Sequence, residues 1–259
     1  MIFAPLVILS TIAAVAFSAL GVWLGRRALL QRLGRGHHEV LVALFQTGGT
    51  LHAVFLAFLV VAVWQSYDAA RSNVAEEASL LTTLYRTSVA MDPRAGAGLR
   101  KLLRDYVQAV VQREWTVQAD TGGASPEARA AGLAMYRLFG QEDPAVRQND
   151  SAVNGAALAL LSQIQSDRNR RTLAAQQSLP STIWLAAIGS GVIVLAMSFF
   201  LVMEQARPQV IATSMMASTI GLLLCITFVL SRPFAGPMAL GPAPFVHSLE
   251  VFDAVDATR

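Results

Sequence analysis

The chain is poor in cysteine, in lysine and in charge of either sign, and each shortage removes a class of protein. Its one cysteine, Cys225, lies inside an apolar run, so no disulfide framework holds the fold. Charged residues make up only 14% of the 259, against about 25% in an average soluble domain, while 54% are hydrophobic; that balance points to a bilayer. Lys101 is the only lysine, and the net charge of +3 is carried almost wholly by arginine. The one dense basic run, RRALLQRLGR at Arg26 to Arg35, sits beside an apolar run and reads as a topology signal or a phospholipid contact. Nucleic-acid binding needs a clustered basic face, which is missing.

Enzyme signatures are missing too: there is no HExxH, no GxSxG elbow, no Walker loop, no GxGxxG after a strand and no pair of intramembrane aspartates. The four histidines, His37, His38, His52 and His247, are scattered. The HHE triplet at His37 to Glu39 does not gather around one ion, because adjacent helical residues diverge by about 100°. The reading is therefore a non-enzyme, with no catalytic residue, cofactor or metal assigned.

What is present is length in apolar runs. Four of them, near Ala4 to Leu24, Val40 to Trp64, Ser181 to Met203 and Val210 to Leu230, approach or exceed the roughly 20 helical residues that cross a bilayer. The first follows MIFAP, which carries no basic side chain, and precedes Arg26 and Arg27 instead of a small-residue cleavage site, so it reads as a retained span. No strand pattern appears anywhere. The expected fold is an all-α polytopic membrane protein: a first transmembrane hairpin over residues 1–64, a helical extramembrane domain over 65–179, a second hairpin over 180–230, and a Pro-rich tail with a short amphipathic helix over 231–259.

Counting crossings puts the N-terminus, the domain and the tail on one face. Arginines do not choose which face: Arg26, Arg27, Arg32, Arg35 and Arg207 flank the spans on one side, and Arg71, Arg168, Arg170, Arg171 and Arg232 on the other. Within the domain, Tyr67, Val74, Ala78, Leu81, Tyr85 and Ser88 recur at helical steps and continue the second span as one helix until Pro93. Leu99, Leu103, Tyr106 and Val110 mark a second helix, with Lys101 and Asp105 at ion-pair spacing. Ser125 followed by Pro126 predicts an N-cap and first helical residue, GQEDP after Phe139 a break, and Ala145 to Gln177 a last helix that carries Val153, Leu160 and Ile164 and turns polar at Asp167. In the tail, Phe245, Leu249 and Phe252 at i, i+4 and i+7 make one apolar stripe. It is expected to dock on the domain, or else to lie on lipid.

Polar features within and just beyond the spans have two readings each. Thr47 to Gly49 and the Gly21, Gly25 step either let helices approach closely or, for the former, mark a narrow or flexible point in a pore. His52 is either a helix–helix hydrogen-bonding group or a pore or proton-linked one. Glu76 and Glu77 are either a solvated helix face or part of an acidic ring around an axis.

Three segments carry a resemblance. FLAFLVVAVWQSYDAAR at Phe55 to Arg71 resembles the second-span signature of the bestrophin ion channels, Leu179–Pro180 sits where related chains re-enter the membrane, and RPFAGPMALGPAPFVHSLE is similar to the bestrophin tail. The nearest likeness is to the bacterial bestrophin-like membrane proteins, which implies the inner (plasma) membrane of a bacterium. The resemblance implies a homo-oligomer, a pentamer, in a lipid bilayer, whose second span lines a path for inorganic ions with an apolar constriction that falls here on Thr50, Val54 and Phe58. It also implies a cytosolic domain and a tail motif on Arg232, Pro233, Phe234 and Gly236. Thr50 departs from the pattern, being polar where the family is apolar, and the tail lacks the acidic residue and Asn before Pro-Phe-Gly. The Asp cluster that forms a calcium clasp in animal bestrophins is missing. An alternative built on the same layout is a non-conducting sensor or scaffold with a separate output partner.

Overall fold

The structure, a computed structural model, describes residues 3–29, 38–141, 151–201 and 205–258, and every regular element among them is helical. The helices are α1 (Phe3–Leu29), α2 (His38–Thr87), α3 (Pro93–Ala109), α4 (Trp115–Thr121), α5 (Pro126–Gln141), α6 (Ser151–Gln176), α7 (Ser181–Phe200), α8 (Ala206–Leu230) and α9 (Ala243–Ala257). A 3₁₀ turn, Ser88–Ala90, follows α2, and a π-helical turn, Val110–Glu114, joins α3 to α4. Arg32, Arg35, His37, the GQEDP break beyond Gln141 and the helix start expected at Ala145 lie outside the described residues, as do the side chains of Arg26 and His38. The helix of the third span is described as Ser181–Phe200, and its expected end at Met203 lies outside the described residues.

The chain divides into two compact units: Met1–Gln65 with Ser178–Ser231, and Ser66–Gln177 with Arg232–Arg259. Among the described residues, α2, α7 and α8 are long and apolar enough to cross a membrane, whereas the apolar stretch described in α1, Val15–Gly25, is shorter. Only 22% of the apolar window of α2 and 28% of those of α7 and α8 are buried. These helices thus turn most of their apolar surface outward, as a hydrocarbon solvent allows.

In the first unit, α1 packs on α8 and α7, and α7 on α8. Small residues set the approach: a Cβ at Gly21 would stand 2.2 Å from the Phe199 ring, and one at Gly25 3.0 Å from the Phe199 carbonyl oxygen. Several hydroxyls in these helices return their protons to their own backbone, as Thr47 to the Ala43 carbonyl (2.9 Å) and Thr213 to that of Gln209 (2.8 Å), which satisfies those donors in an apolar setting.

The second unit is a helical bundle with a dry core. Leu81, Leu84, Leu99, Leu103, Tyr106, Val110, Leu161 and Ile164 are fully or almost fully buried in it. Its helix starts follow local chemistry. The Asp92 carboxylate accepts from the Arg94 and Ala95 amides at 2.9 and 3.2 Å, with Pro93 at the first helical position. Ser125 Oγ accepts from the Ala128 amide at 3.0 Å ahead of Pro126. Lys101 and Asp105 are both exposed and make no ion pair with each other; Arg104, one position away from Asp105, reaches Asp253 (2.6 Å) and Asp256 (3.0 Å) of α9 instead.

The tail closes this core. Phe252 stacks on Tyr85 with ring centroids 3.9 Å apart and planes within 8°. Trp115 meets the edges of Phe234 and Phe245 at 5.8 and 5.5 Å and donates its indole N–H to the Leu240 carbonyl at 2.8 Å. Tyr67 donates to the Met238 carbonyl at 2.9 Å.

Candidate functional site

The membrane part of α2 has two contrasting faces. His52, Leu56, Leu59 and Val63, at helical steps, are buried against the rest of their unit. Thr50, Val54 and Phe58, at i, i+4 and i+8, form a row on another face; Thr50 is exposed, Val54 is 49% exposed and Phe58 72% exposed, so the described residues leave the row largely uncovered. Thr50 donates its hydroxyl to the Gln46 carbonyl at 2.8 Å. Its proton is consumed within the helix, which makes the row less polar than the sequence suggests.

His52 faces away from that row. Its Nδ1 lies 2.8 Å from Ser190 Oγ on α7, and the ring is 5% exposed. Of the two readings open at the sequence level, the helix–helix hydrogen bond is the one present.

Glu76 and Glu77 part company. Glu76 is exposed and accepts from the Ser72 hydroxyl at 3.2 Å. Glu77 is fully buried, which corrects its reading as a solvated face and removes it from any acidic ring, because its carboxylate is turned into its own subunit. There Arg171, itself fully buried, donates Nε to Glu77 Oε2 at 2.7 Å and Nη2 to Glu77 Oε1 at 3.2 Å. The same guanidinium reaches Glu114 Oε1 (2.8 Å) and Gln118 Oε1 (2.9 Å), and its carbon lies 5.3 Å from the centre of the Trp115 ring and 5.4 Å from that of Phe245. Arg168 donates to Glu114 Oε2 at 2.6 Å and Tyr106 to Glu77 Oε1 at 2.6 Å.

Two buried guanidiniums therefore neutralise two buried carboxylates across α2, α4, α6 and the π-helical turn, with α3 and α9 adding Tyr106 and Phe245. Burial pushes the Glu114 carboxyl up, but Arg171 and Arg168 outweigh it and hold it below the usual carboxylate range. Burial, then the Glu77 charge, pushes the Tyr106 phenol well above its ordinary value, which keeps it a donor. Burial opposes the Arg171 charge, and Glu77 overcomes it. The π-helical turn is part of the construction: the Trp115 amide donates to the Val110 carbonyl, five residues back, and the turn holds Glu114 in the core.

This network was not foreseen, although a signal exists. Glu77 shares the apolar stripe of Val74, Ala78, Leu81 and Tyr85, and Arg168 and Arg171 continue the stripe of Leu161 and Ile164. Opposite charges that extend two apolar stripes mark a buried ion pair.

The tail motif forms a turn. Pro233 and Phe234 are buried, Arg232 is exposed, the Leu240 amide donates to the Pro233 carbonyl at 2.7 Å, and Gly236 has φ +93°, a conformation that favours glycine.

Residues 12–245 match the Bestrophin-like domain, and the chain belongs to that family. Its fold is that of crystal structures of variants of a bacterial bestrophin homologue from Klebsiella pneumoniae. One has a TM-score of 0.77 at 15% identity and another 0.75 at 14%, each over 96% of this chain and 98% of that one. A structure described as that of a membrane protein is similar with a TM-score of 0.72 at 14% identity, over 93% of this chain and 97% of that one. No curated protein matches. Family membership and three membrane-length helices mark an integral membrane protein.

Proposed function

We propose that the protein is an oligomeric ion channel or channel-like pore, in the inner membrane if its source is a bacterium, with α2 lining the path and Thr50, Val54 and Phe58 forming an apolar constriction. The observation that carries this reading is the division of α2. It turns its one titratable membrane side chain inward to Ser190 and presents an uncovered row at i, i+4 and i+8. Outward apolar residues suit either lipid or a symmetry axis; the bestrophin resemblance, with five subunits around the second span, favours the axis. A ring of Val54 and Phe58 side chains would gate by dewetting, with Thr50 contributing mainly its methyl group. Family membership supports homo-oligomers and inorganic ions as partners. The fourth crossing rests on α1, whose ends carry apolar residues on one side and Arg26 and Arg27 on the other.

Thiol accessibility tests the lining. In a Cys225→Ser background, single cysteines at positions 50, 54 and 58 are expected to react with a charged, water-soluble thiol reagent faster than a cysteine at Leu185, which is 75% exposed on α7 and on this reading faces lipid. Equal protection of all four positions would remove α2 from the path.

A further inference from the structure

We propose that His52 is a proton-operated latch between α2 and α7: neutral, it closes the contact between the two helices, and protonated, it opens it. The proposal concerns packing alone; only its consequence for ion flow rests on the channel reading above.

Hydrogen-bond accounting identifies which nitrogen carries the proton. The Ser190 hydroxyl has one proton, which it donates within α7 to the Ala186 carbonyl at 2.7 Å, with the Ala187 carbonyl at 3.3 Å. Toward His52 it therefore acts as acceptor, so the 2.8 Å contact is an Nδ1–H donation to Ser190 Oγ. The other nitrogen, Nε2, is then an unprotonated acceptor, and it is buried with no hydrogen-bond partner. A Cβ at Gly191 would stand 3.4 Å from Nε2, 3.3 Å from the adjacent ring carbon and 3.3 Å from Ile220 Cγ2 of α8. Glycine at 191 is what allows the edge of the imidazole to lie against α7.

Among the described residues, no charged side chain lines the groove beside the ring. The groove beside the ring, about 390 Å³, is walled by Gly48, Leu51 and Phe55 of α2 and by Ala186, Ile193 and Val194 of α7, with Ser190 its only other polar group. On its own helix His52 is the only titratable residue between Glu39 and Tyr67; α7 has none from Ser181 to Phe200; α8, present through Ile220, carries only Arg207 and Cys225.

A proton added at Nε2 would create a full charge and a new N–H donor with no acceptor in reach. A buried donor left unmet is costly, and a charge in an apolar membrane setting more so. The proton is held better when α2 and α7 separate and water reaches the ring. By linkage, acid shifts the pair toward the open arrangement. Since α2 also carries Val54, two residues on, opening the latch would move the proposed constriction.

The test reads the helix contact itself. Spin labels on Val61→Cys of α2 and Leu185→Cys of α7, both outward and clear of the groove, are placed in a Cys225→Ser background of the purified oligomer. Between about pH 7.5 and about pH 5, the range in which histidine titrates, the interspin distances should lengthen and recover on return. His52→Asn keeps an amide donor for Ser190 but cannot titrate, and its distances should stay fixed. The thermal midpoint of the unlabelled parent should fall over the same range by about 3 °C or more beyond any fall in the Asn variant. If the Asn variant does not fold, the labelled parent decides alone: an unchanged distance distribution across the range overturns the latch. Neither readout uses current, so a silent protein leaves this test intact, and a conducting protein with fixed distances rejects the latch while keeping the pore.

Discussion

Arg171→Ala is expected to destabilise the helical unit by about 3–5 kcal/mol, because it leaves the carboxylates of Glu77 and Glu114 buried with too little positive charge. The guanidinium makes four hydrogen bonds, two to Glu77 and one each to Glu114 and Gln118. Its removal strands acceptors on α2, α4 and the π-helical turn together. The loss should be strongly non-additive. Glu77→Leu combined with Arg171→Met removes both members of the doubly hydrogen-bonded pair, leaves Arg168 with Glu114, and should recover much of the stability lost in Arg171→Ala, since a buried pair replaced by apolar groups of similar size often costs little. Thermal midpoints of the purified parent, single and double variants, measured under identical conditions, decide this. A single variant within about 1 kcal/mol of the parent would mean that water enters the network and solvates the carboxylates.

Phe252→Ala should have a loss of similar size, about 3–5 kcal/mol, through a different cause. The ring is fully buried, is stacked on Tyr85 and lies 6.0 Å from the Arg104 guanidinium carbon. Truncation leaves a cavity where the tail helix meets α2 and α3. The polar contacts around it, Tyr85 to Asp256 at 2.6 Å and Arg104 to Asp253 at 2.6 Å, involve more exposed carboxylates and hold the helix only weakly by themselves. The variant should therefore release α9 before the rest of the unit melts. Limited proteolysis would cut first within residues 232–242, in a lower protease concentration than the parent requires. A tail that stays protected would show that Phe234, Phe245 and the Leu240 contact suffice.

Much of the fold was written in periodicity and helix-end chemistry. Leu99, Leu103, Tyr106 and Val110 form the buried stripe that their spacing predicts, Ser125 caps the helix that Pro126 starts, and Phe245 and Phe252 seat the tail in the core. The glycine step at Gly21 and Gly25 does mark a close approach, with Phe199 as the residue that fills it. What stayed illegible was long-range polar pairing. Glu77 and Arg171 stand 94 residues apart, and each alone looks like the polar side of a helix. Their meeting depends on how helices from distant parts of the chain pack and on a π-helical turn that has no composition signature here. Lys101 and Asp105 illustrate the converse: local spacing suggests a pair, but the nearby Arg104 finds better partners on α9. For the proposed pore row, sequence supplied the spacing and the structure the exposure; neither contains the neighbouring copies that would complete a ring.

Ionic conductance of the purified oligomer in planar bilayers, recorded for the parent and for Phe58→Ala side by side, bears most directly on the pore. Discrete parent currents and a larger conductance or open fraction in the variant are expected, because removing the ring widens and wets the constriction. Silence in both from a folded oligomer, or currents that Phe58→Ala leaves unchanged, would contradict a permeation path constricted along α2.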